Sequence, residues 1–221
     1  MILKYEAIIF DWDGTLADST ARIVESMQLA AKDAGVAQRT DFDIQQIIGL
    51  GLKEAIQTLW PENAHQDDVI EQIRMGYNHH FIAEIRPVVE LYDFAHEMLE
   101  KLNVAGHQLG VATGKSRSGL NRAFRELGVG HLFHGSRCAD ETRSKPHPLM
   151  LNELMEVLSV APEEVLMVGD TQFDIDMATA AGVDSVAITH GAHSIDRLKR
   201  SRPNHVVSDL RELSRWLKVS V

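Results

Sequence analysis

Short apolar runs and helical patterns alternate along most of this chain. Two runs, 7–10 and 165–168, contain no polar residue, as is typical of strands buried on both faces of a parallel sheet. The pattern predicts further strands at 108–112, 185–189 and 205–207, with a weak one near Leu132 and Phe133. Between them, apolar residues recur at helical spacing over 91–102, 117–127, 149–158, 173–181 and 209–217. This alternation predicts a doubly wound α/β core around a parallel sheet.

Residues 17–85 have a different pattern, with helical spacing throughout and no convincing strand. We predict four helices there: from an N-cap at Asp18 or Ser19 to Gly35, from Thr40 to about 48, over 52–60, and over 69–81. Because a strand followed by four helices does not return to the sheet, the pattern indicates an inserted all-helical domain. We therefore assign 1–16 and 86–221 to the core and 17–85 to the insertion, with hinges at 16–17 and 82–86.

Polar side chains follow three of the predicted strands. Asp11 and Asp13 follow the first, Thr113 and Gly114 follow 108–112, and Asp170 and Asp174 follow 165–168. Ligands bind outside the carboxyl ends of strands in an open parallel sheet, so we expect these groups to meet at one edge. Lys145, in a proline-flanked loop, supplies a cation. For any one of these segments alone, a solvated strand end or helix start would be an ordinary explanation.

Taken together, the four segments resemble the motifs of the haloacid dehalogenase superfamily of phosphohydrolases. They occur in order as Asp11-x-Asp13-Gly14-Thr15, Thr113-Gly114, Lys145 and Gly169-Asp170-x-x-x-Asp174. The resemblance covers nearly the whole chain and is closest to the phosphoglycolate-phosphatase-like branch. It implies a Rossmann-like core whose helical cap is inserted just after the first motif.

The resemblance also implies a role for each carboxylate. Asp11 would be the nucleophile, forming an aspartyl-phosphate intermediate, and Asp13 would be the general acid and base. Mg²⁺ would be bound by Asp11, the Asp13 carbonyl and Asp170, because oxygen ligands suit that ion. Asp174 would orient this ligand set from outside it.

The same resemblance assigns the phosphate-binding groups. Thr113 and the amide groups of Gly14 and Gly114 would hold phosphate oxygens, and Lys145 would stabilise charge on the nucleophile and the transferring phosphoryl group. Leu50 and Lys53 lie where such caps carry a substrate-recognition loop, so we expect them to affect specificity. His193 is a further candidate specificity contact, while contacts from His190 and Lys115 to substrate stay open.

Net charge and amino-acid composition indicate which kinds of molecule this protein binds. The 22 basic and 32 acidic residues give a net charge of −10, with no long basic run, which argues against non-specific nucleic-acid binding. An acidic protein with an anionic substrate needs a local cation, which favours a metal. A single cysteine, Cys138, excludes an internal disulfide and favours a reducing, cytoplasmic location. No apolar stretch reaches the roughly 18 residues that span a membrane.

The leading hypothesis is a Mg²⁺-dependent phosphomonoesterase acting on a small phosphorylated metabolite, with 2-phosphoglycolate as a natural candidate. Asp13, Asp170 and Asp174 argue against the dehalogenating and phosphonate-cleaving branches. A sugar-phosphate mutase is the enzymatic alternative, since it keeps the same carboxylates. A non-catalytic phosphate-sensing or regulatory module is the alternative of another class. The oligomeric state stays open between monomer and homodimer.

Overall fold

Six parallel strands form one sheet in the computed structural model, which describes residues 4–83 and 89–219. The strands are β1 (Ala7–Phe10), β2 (Gln108–Thr113), β3 (Gly135–Cys138), β4 (Val165–Gly169), β5 (Asp184–Ile188) and β6 (His205–Val207). Their order across the sheet is β3-β2-β1-β4-β5-β6. The chain runs outward in both directions from β1, so a crevice opens between the carboxyl ends of β1 and β4, where such sheets bind ligands.

Ten α-helices accompany the sheet in the described ranges. They are α1 (Thr20–Asp33), α2 (Asp41–Gln45), α3 (Leu52–Leu59), α4 (Asp67–Phe81), α5 (Ala95–Val104), α6 (Arg117–Leu127), α7 (Leu149–Leu158), α8 (Gln172–Ala181), α9 (Ile195–Arg200) and α10 (Leu210–Trp216). None of them is long and apolar enough to cross a membrane. Strands and helices alternate after α4, which confirms the expected α/β fold class.

The sheet is buried on both faces because β1 alternates its side chains between two apolar cores. Ile8 and Phe10 pack into one core, whereas Ala7 and Ile9 pack into the other. All four are fully buried. This two-sided burial explains why β1 contains no polar residue, and Asp11, the next residue, lies at the carboxyl edge of the sheet.

The helices α1–α4 have an apolar core of their own, and no strand lies among them. Met27 of α1, Ile56 of α3 and Ile73 of α4 are buried in that core. Helix α4 lies close against α1 at Gly76, where an added Cβ would be 3.2 Å from the Ala30 Cα. A residue larger than glycine at that position would require the Ala30 backbone to move by a few tenths of an ångström.

The chain segments that join the helical region to the sheet are paired. The Asp18 amide donates to the Glu90 carbonyl, and the Tyr92 amide donates to the Leu16 carbonyl, both at 2.9 Å. The first predicted hinge, 16–17, lies within this pairing. The second, 82–86, extends beyond the described residues, as does the predicted boundary between 85 and 86.

Two parts of the core differ from the sequence-based expectation. The predicted strand near Leu132 and Phe133 is wrong: a 3-10 turn occupies Gly130–Leu132, and β3 begins at Gly135. Strand β3 is an edge strand with the sequence GSRC, so it lacks the apolar run that identifies a central strand. Helix α9 (Ile195–Arg200) was not anticipated from the sequence pattern.

Candidate active site

Asp11 is fixed at the end of β1 by one of its two carboxylate oxygens. Its Oδ1 accepts hydrogen bonds from the Lys145 ammonium at 2.7 Å and from the Trp12 amide at 2.6 Å. Its Oδ2 is buried and has no hydrogen-bond partner among the described residues. Burial raises the pKa of Asp11; Lys145 opposes that shift, whereas Asp174 and Asp170 add to it.

Lys145 lies between two carboxylates in the interior. Its Nζ is 2.7 Å from Asp11 Oδ1 and 2.6 Å from Asp174 Oδ1. Burial alone would lower the pKa of Lys145, but the two carboxylates outweigh burial and the pKa is raised. The ammonium is therefore charged at all physiological pH values, as its predicted role requires.

Asp170, at the end of β4, is held on both oxygens. Its Oδ1 accepts from the Thr15 hydroxyl and its Oδ2 from the Ala192 amide, both at 2.7 Å. Burial and, next, the Asp174 charge raise the pKa of Asp170 to about 7. Two glycines make room for it, since a Cβ on Gly14 or on Gly191 would overlap the carboxylate.

Asp174 supports the site from the first turn of α8. Its Oδ2 accepts from the Thr171 amide at 3.0 Å and the Thr171 hydroxyl at 2.7 Å, which forms a capping box. Its Oδ1 is bound to Lys145. Both oxygens are therefore engaged by protein groups, as expected of a residue that orients its neighbours.

The three buried carboxylates fit a divalent cation. One oxygen each from Asp11, Asp170 and Asp174 can be chosen so that all lie within 4.8 Å of one another. Lys145 balances only one of the three negative charges when all are ionised. Two observations indicate that a bound cation would stabilise this site. The Asp11 Oδ2 has no hydrogen-bond partner among the described residues, and the pKa values of Asp11 and Asp170 are raised.

Asp13 has different surroundings from the three buried acids. The Lys115 ammonium contacts both of its oxygens, at 2.9 and 3.0 Å, and the Ser19 hydroxyl donates to Oδ1 at 2.8 Å. Asp13 also lines a cavity of about 640 Å³ between the sheet edge and the helical region, which we call the main cavity. A carboxyl group there can exchange a proton with a molecule bound in the cavity.

The phosphate-binding groups expected from the sequence are only partly placed as expected. Thr113 ends β2 and lines the cavity with Gly114. The Gly14 amide, however, donates to the Ala17 carbonyl at 2.9 Å, so the expectation of an open N–H group at Gly14 is wrong. Gly14 has a φ of +86° and lies against Asp170, so its role here is steric.

The cavity, of about 640 Å³, lies between the sheet edge and the helices α1, α3 and α4. Leu50 and Lys53 line it, as do Asp11 and Asp13. The loop before α3 lies so close to Gly114 that a Cβ there would overlap the Leu50 carbonyl. The Gly51 amide also donates to the Ser144 hydroxyl at 2.8 Å, next to Lys145. The helical region therefore covers the catalytic edge in this structure.

His193 differs from its expected position. It is buried outside the cavity wall, where its Nδ1 accepts from the Gln172 amide at 3.0 Å and its Nε2 is 3.3 Å from the Gln46 carbonyl. Burial, followed by the nearby Arg197 charge, lowers the pKa of His193 to about 4. A neutral His193 thus joins the core to the helical region. His190 also lies outside the cavity wall, stacked on Tyr92 at 3.9 Å.

Four residues of the site contact Asp13 or Asp170 in ways that were not predicted from the sequence. Thr15 and Ser19 orient carboxylates, Gly191 makes room for Asp170, and Lys115 binds Asp13. A signal existed for Thr15, which belongs to the first motif, and for Lys115, which follows the second. Gly191 follows β5 and gave no comparable signal.

Known proteins of the same fold identify the family. The model of the family described as haloacid dehalogenase-like hydrolase matches residues 8–188, most of the chain. The chain belongs to the haloacid dehalogenase-like hydrolases. A solved haloacid dehalogenase-like chain from Bacteroides fragilis is 27% identical with a TM-score of 0.86, over 95% of this chain and 100% of that chain.

Curated relatives match almost the full length of this chain. A phosphoglycolate phosphatase of Aliivibrio fischeri is 31% identical over 215 residues, which is 95% of this chain and 94% of the relative. A pyrophosphatase PpaX of Anoxybacillus flavithermus is 27% identical over 219 residues, 99% of each chain. With the family match, these relatives assign the enzyme to the phosphatases of the family.

Proposed function

We propose that this enzyme is a Mg²⁺-dependent phosphomonoester hydrolase that acts on a small phosphorylated metabolite through an aspartyl-phosphate on Asp11. The observation that carries the proposal is the state of Asp11. Lys145 and the Trp12 amide fix one oxygen, while the other is buried, unpartnered within the described residues, and belongs to a side chain that lines the cavity. A fixed carboxylate that keeps one oxygen without a hydrogen-bond partner is suited to in-line attack on phosphorus.

The reaction follows from the two aspartates. Asp11 attacks phosphorus, the bond from phosphorus to the leaving oxygen breaks, and Asp13 gives its proton to that oxygen. Water then attacks the phosphorus of the aspartyl-phosphate, Asp13 takes up the water proton, and the bond to Asp11 breaks to release phosphate. Lys145 offsets the negative charge on Asp11 throughout, and Thr113 with the Gly114 amide would hold phosphoryl oxygens.

Asp11, the Asp13 carbonyl and Asp170 would hold Mg²⁺, with Asp174 orienting Lys145 and the start of α8. The bound ion would supply positive charge to the phosphoryl oxygens and to the buried carboxylates. Oxygen-only ligands and a cluster of carboxylates favour Mg²⁺ over zinc or copper.

The cavity supports a small substrate. A partly open cavity of about 640 Å³ has room for a small metabolite but not for a folded phosphoprotein. We take 2-phosphoglycolate as the first candidate, because the Aliivibrio fischeri relative bears that activity in its name, and pyrophosphate as the second, from the pyrophosphatase relative. Residues 17–85 would form a cap whose opening admits substrate, and the buried, unpaired Cys138 suits a cytoplasmic enzyme.

The test is release of inorganic phosphate from p-nitrophenyl phosphate and 2-phosphoglycolate by the purified protein, with Mg²⁺ or with chelator. Mg²⁺-dependent release by the wild type, absent in Asp11→Asn, is expected. A mutase would instead move the phosphoryl group to a second hydroxyl of a sugar phosphate with little net release. A phosphate-sensing module would bind phosphate without turnover. Either of those outcomes would contradict the proposed hydrolase.

A further inference from the structure

The cavity wall beyond Asp13 contains two cations from the core. Lys115 lies two residues before the start of α6, next to its N-cap Ser116, and Arg122 lies within that helix. Both line the main cavity of about 640 Å³. Both also line a second cavity of about 240 Å³, which shares Asp13 and Phe81 with the first. These two side chains therefore border the space next to the acid/base carboxylate.

The contacts of the two cations leave room for an anion. Lys115 lies between Asp13 and the ring of Phe81, with its Nζ 4.6 Å from the ring centroid. Arg122 is paired with Glu126 at 3.8 Å, which is longer than a hydrogen bond. Its guanidinium fork is therefore not held by that pair.

Tyr77 connects the same space to the helical region. It lines the main cavity from α4. Burial raises the pKa of Tyr77, the Asp13 charge raises it further, and the Arg122 charge lowers it. Tyr77 therefore interacts electrostatically with both groups, and all three residues line the main cavity.

We propose that Lys115 and Arg122 form a subsite for a second anionic group, carried by the leaving group of the substrate. This inference rests on the proposed function, in which Asp13 gives a proton to the leaving oxygen. The remainder of the leaving group must then lie just beyond Asp13, beside the two cations. A carboxylate or a phosphate there would be bound by the Lys115 ammonium and by the planar fork of Arg122.

The other cations of the cavity are less suited to this role. The side chain of Lys53 is 62% exposed and is 4.0 Å from Asp67, on the outer part of the wall. Arg74 is held by Glu71 through two hydrogen bonds, of 2.7 and 2.5 Å. The substrate class that fits is therefore a small phosphate ester or anhydride whose leaving group keeps a negative charge.

A matched pair of substrates tests the subsite. The probes are 2-phosphoglycolate and 2-hydroxyethyl phosphate, in which a neutral alcohol replaces the carboxylate. The variant is Arg122→Gln, and the control is Arg125→Gln, which makes the same charge change at an exposed position of α6 outside both cavity walls. Pyrophosphate, as a third substrate, distinguishes a phosphate from a carboxylate as the preferred group.

The wild type should prefer an anionic leaving group. Arg122→Gln should lower kcat/KM for the preferred anionic substrate about 10- to 100-fold, mainly through KM, because a charge-assisted hydrogen bond is lost. The neutral ester should change less than about threefold, and Arg125→Gln should match the wild type on every substrate. Arg122→Lys keeps the charge without the fork and should give an intermediate loss.

The proposed subsite would be refuted if Arg122→Gln and Arg122→Lys, both folded as judged by circular dichroism, changed kcat/KM equally for charged and neutral substrates or left it unchanged for both. It is also wrong if the wild type does not prefer either anionic substrate. Failure of the proposed function gives a different result: the wild type would then release no phosphate from any of the three probes or from p-nitrophenyl phosphate.

Discussion

The substitution Asp170→Asn should show how much the buried Asp170 carboxylate destabilises the metal-free folded protein. Burial and the Asp174 charge raise the pKa of Asp170 to about 7, from 3.8 in an unfolded chain. Between these two pH values the folded protein keeps the proton that the unfolded chain has lost. Rising pH therefore favours the unfolded chain across this window, and the free energy of unfolding of the metal-free protein falls through it.

The size of the effect follows from the two pKa values. A difference between 3.8 and about 7 corresponds to on the order of 4 kcal/mol, at about 1.4 kcal/mol per factor of ten in acidity. The asparagine keeps an oxygen for the Thr15 hydroxyl but turns an N–H group toward the Ala192 amide, which loses its acceptor. That lost hydrogen bond costs about 1 to 3 kcal/mol at every pH. The variant should thus be the less stable protein near pH 4 and the more stable one above about pH 7.

The assay is urea unfolding followed by circular dichroism, in chelator, at a series of pH values between about 4 and 8. The quantity of interest is the difference in unfolding free energy between variant and wild type, because the contributions of groups that do not interact with Asp170 cancel in it. Added Mg²⁺ at the highest pH should stabilise the wild type more than the variant. A difference that stays constant with pH would refute the electrostatic reasoning, whatever its sign.

Four further predictions concern catalysis, the cation, the cap and the buried histidine. Asp11→Asn should lower phosphate release at least about 10⁴-fold while the circular dichroism spectrum stays unchanged, and wild-type turnover would contradict the nucleophile. Chelator should stop phosphate release and Mg²⁺ should restore it better than Ca²⁺, which accepts looser coordination; full activity in chelator would remove the metal from the mechanism. Leu50→Ala and Lys53→Ala should change KM for the metabolite more than for p-nitrophenyl phosphate, and an unchanged substrate profile would exclude a recognition role. Burial lowers the pKa of His193 to about 4, from 6.5 in the unfolded chain. The neutral ring therefore stabilises the folded protein above about pH 6.5, and this contribution to the free energy of unfolding is lost as the pH falls toward 4. His193→Gln should lose less stability than the wild type across that window in urea unfolding, and parallel losses would contradict a buried neutral imidazole.

The catalytic edge could be predicted from the sequence because two local signals agree there. An apolar run identifies a buried strand, and the residue after it must emerge at the carboxyl edge of the sheet. Asp11 and Asp170 follow β1 and β4, which are adjacent and lie where the strand order reverses. The same reasoning failed at β3, because an edge strand of small and polar residues has no apolar run to mark it.

Contacts between distant segments could not be predicted in the same way. Lys115 and Asp13 are 102 residues apart, and their ion pair depends on how β1 and β2 are aligned rather than on any local pattern. His193 follows β5 near the catalytic edge, yet hydrogen bonds to Gln172 and Gln46 hold its ring outside the cavity wall. Sequence position indicated the edge for each residue but not the direction of its side chain.

The glycines around Asp170 connect the stability of this fold to its chemistry. Gly14 and Gly191 approach the carboxylate so closely that no side chain fits at either position, and Gly169 leaves equally little room beside Asp174. This packing fixes the carboxylates near one another even though their charges repel and, within residues 4–83 and 89–219, Lys145 is the cation that pairs with them. The cores on the two sheet faces must offset that repulsion in the metal-free protein. A bound cation would remove much of it, so the same geometry that weakens the metal-free fold would favour binding of the ion.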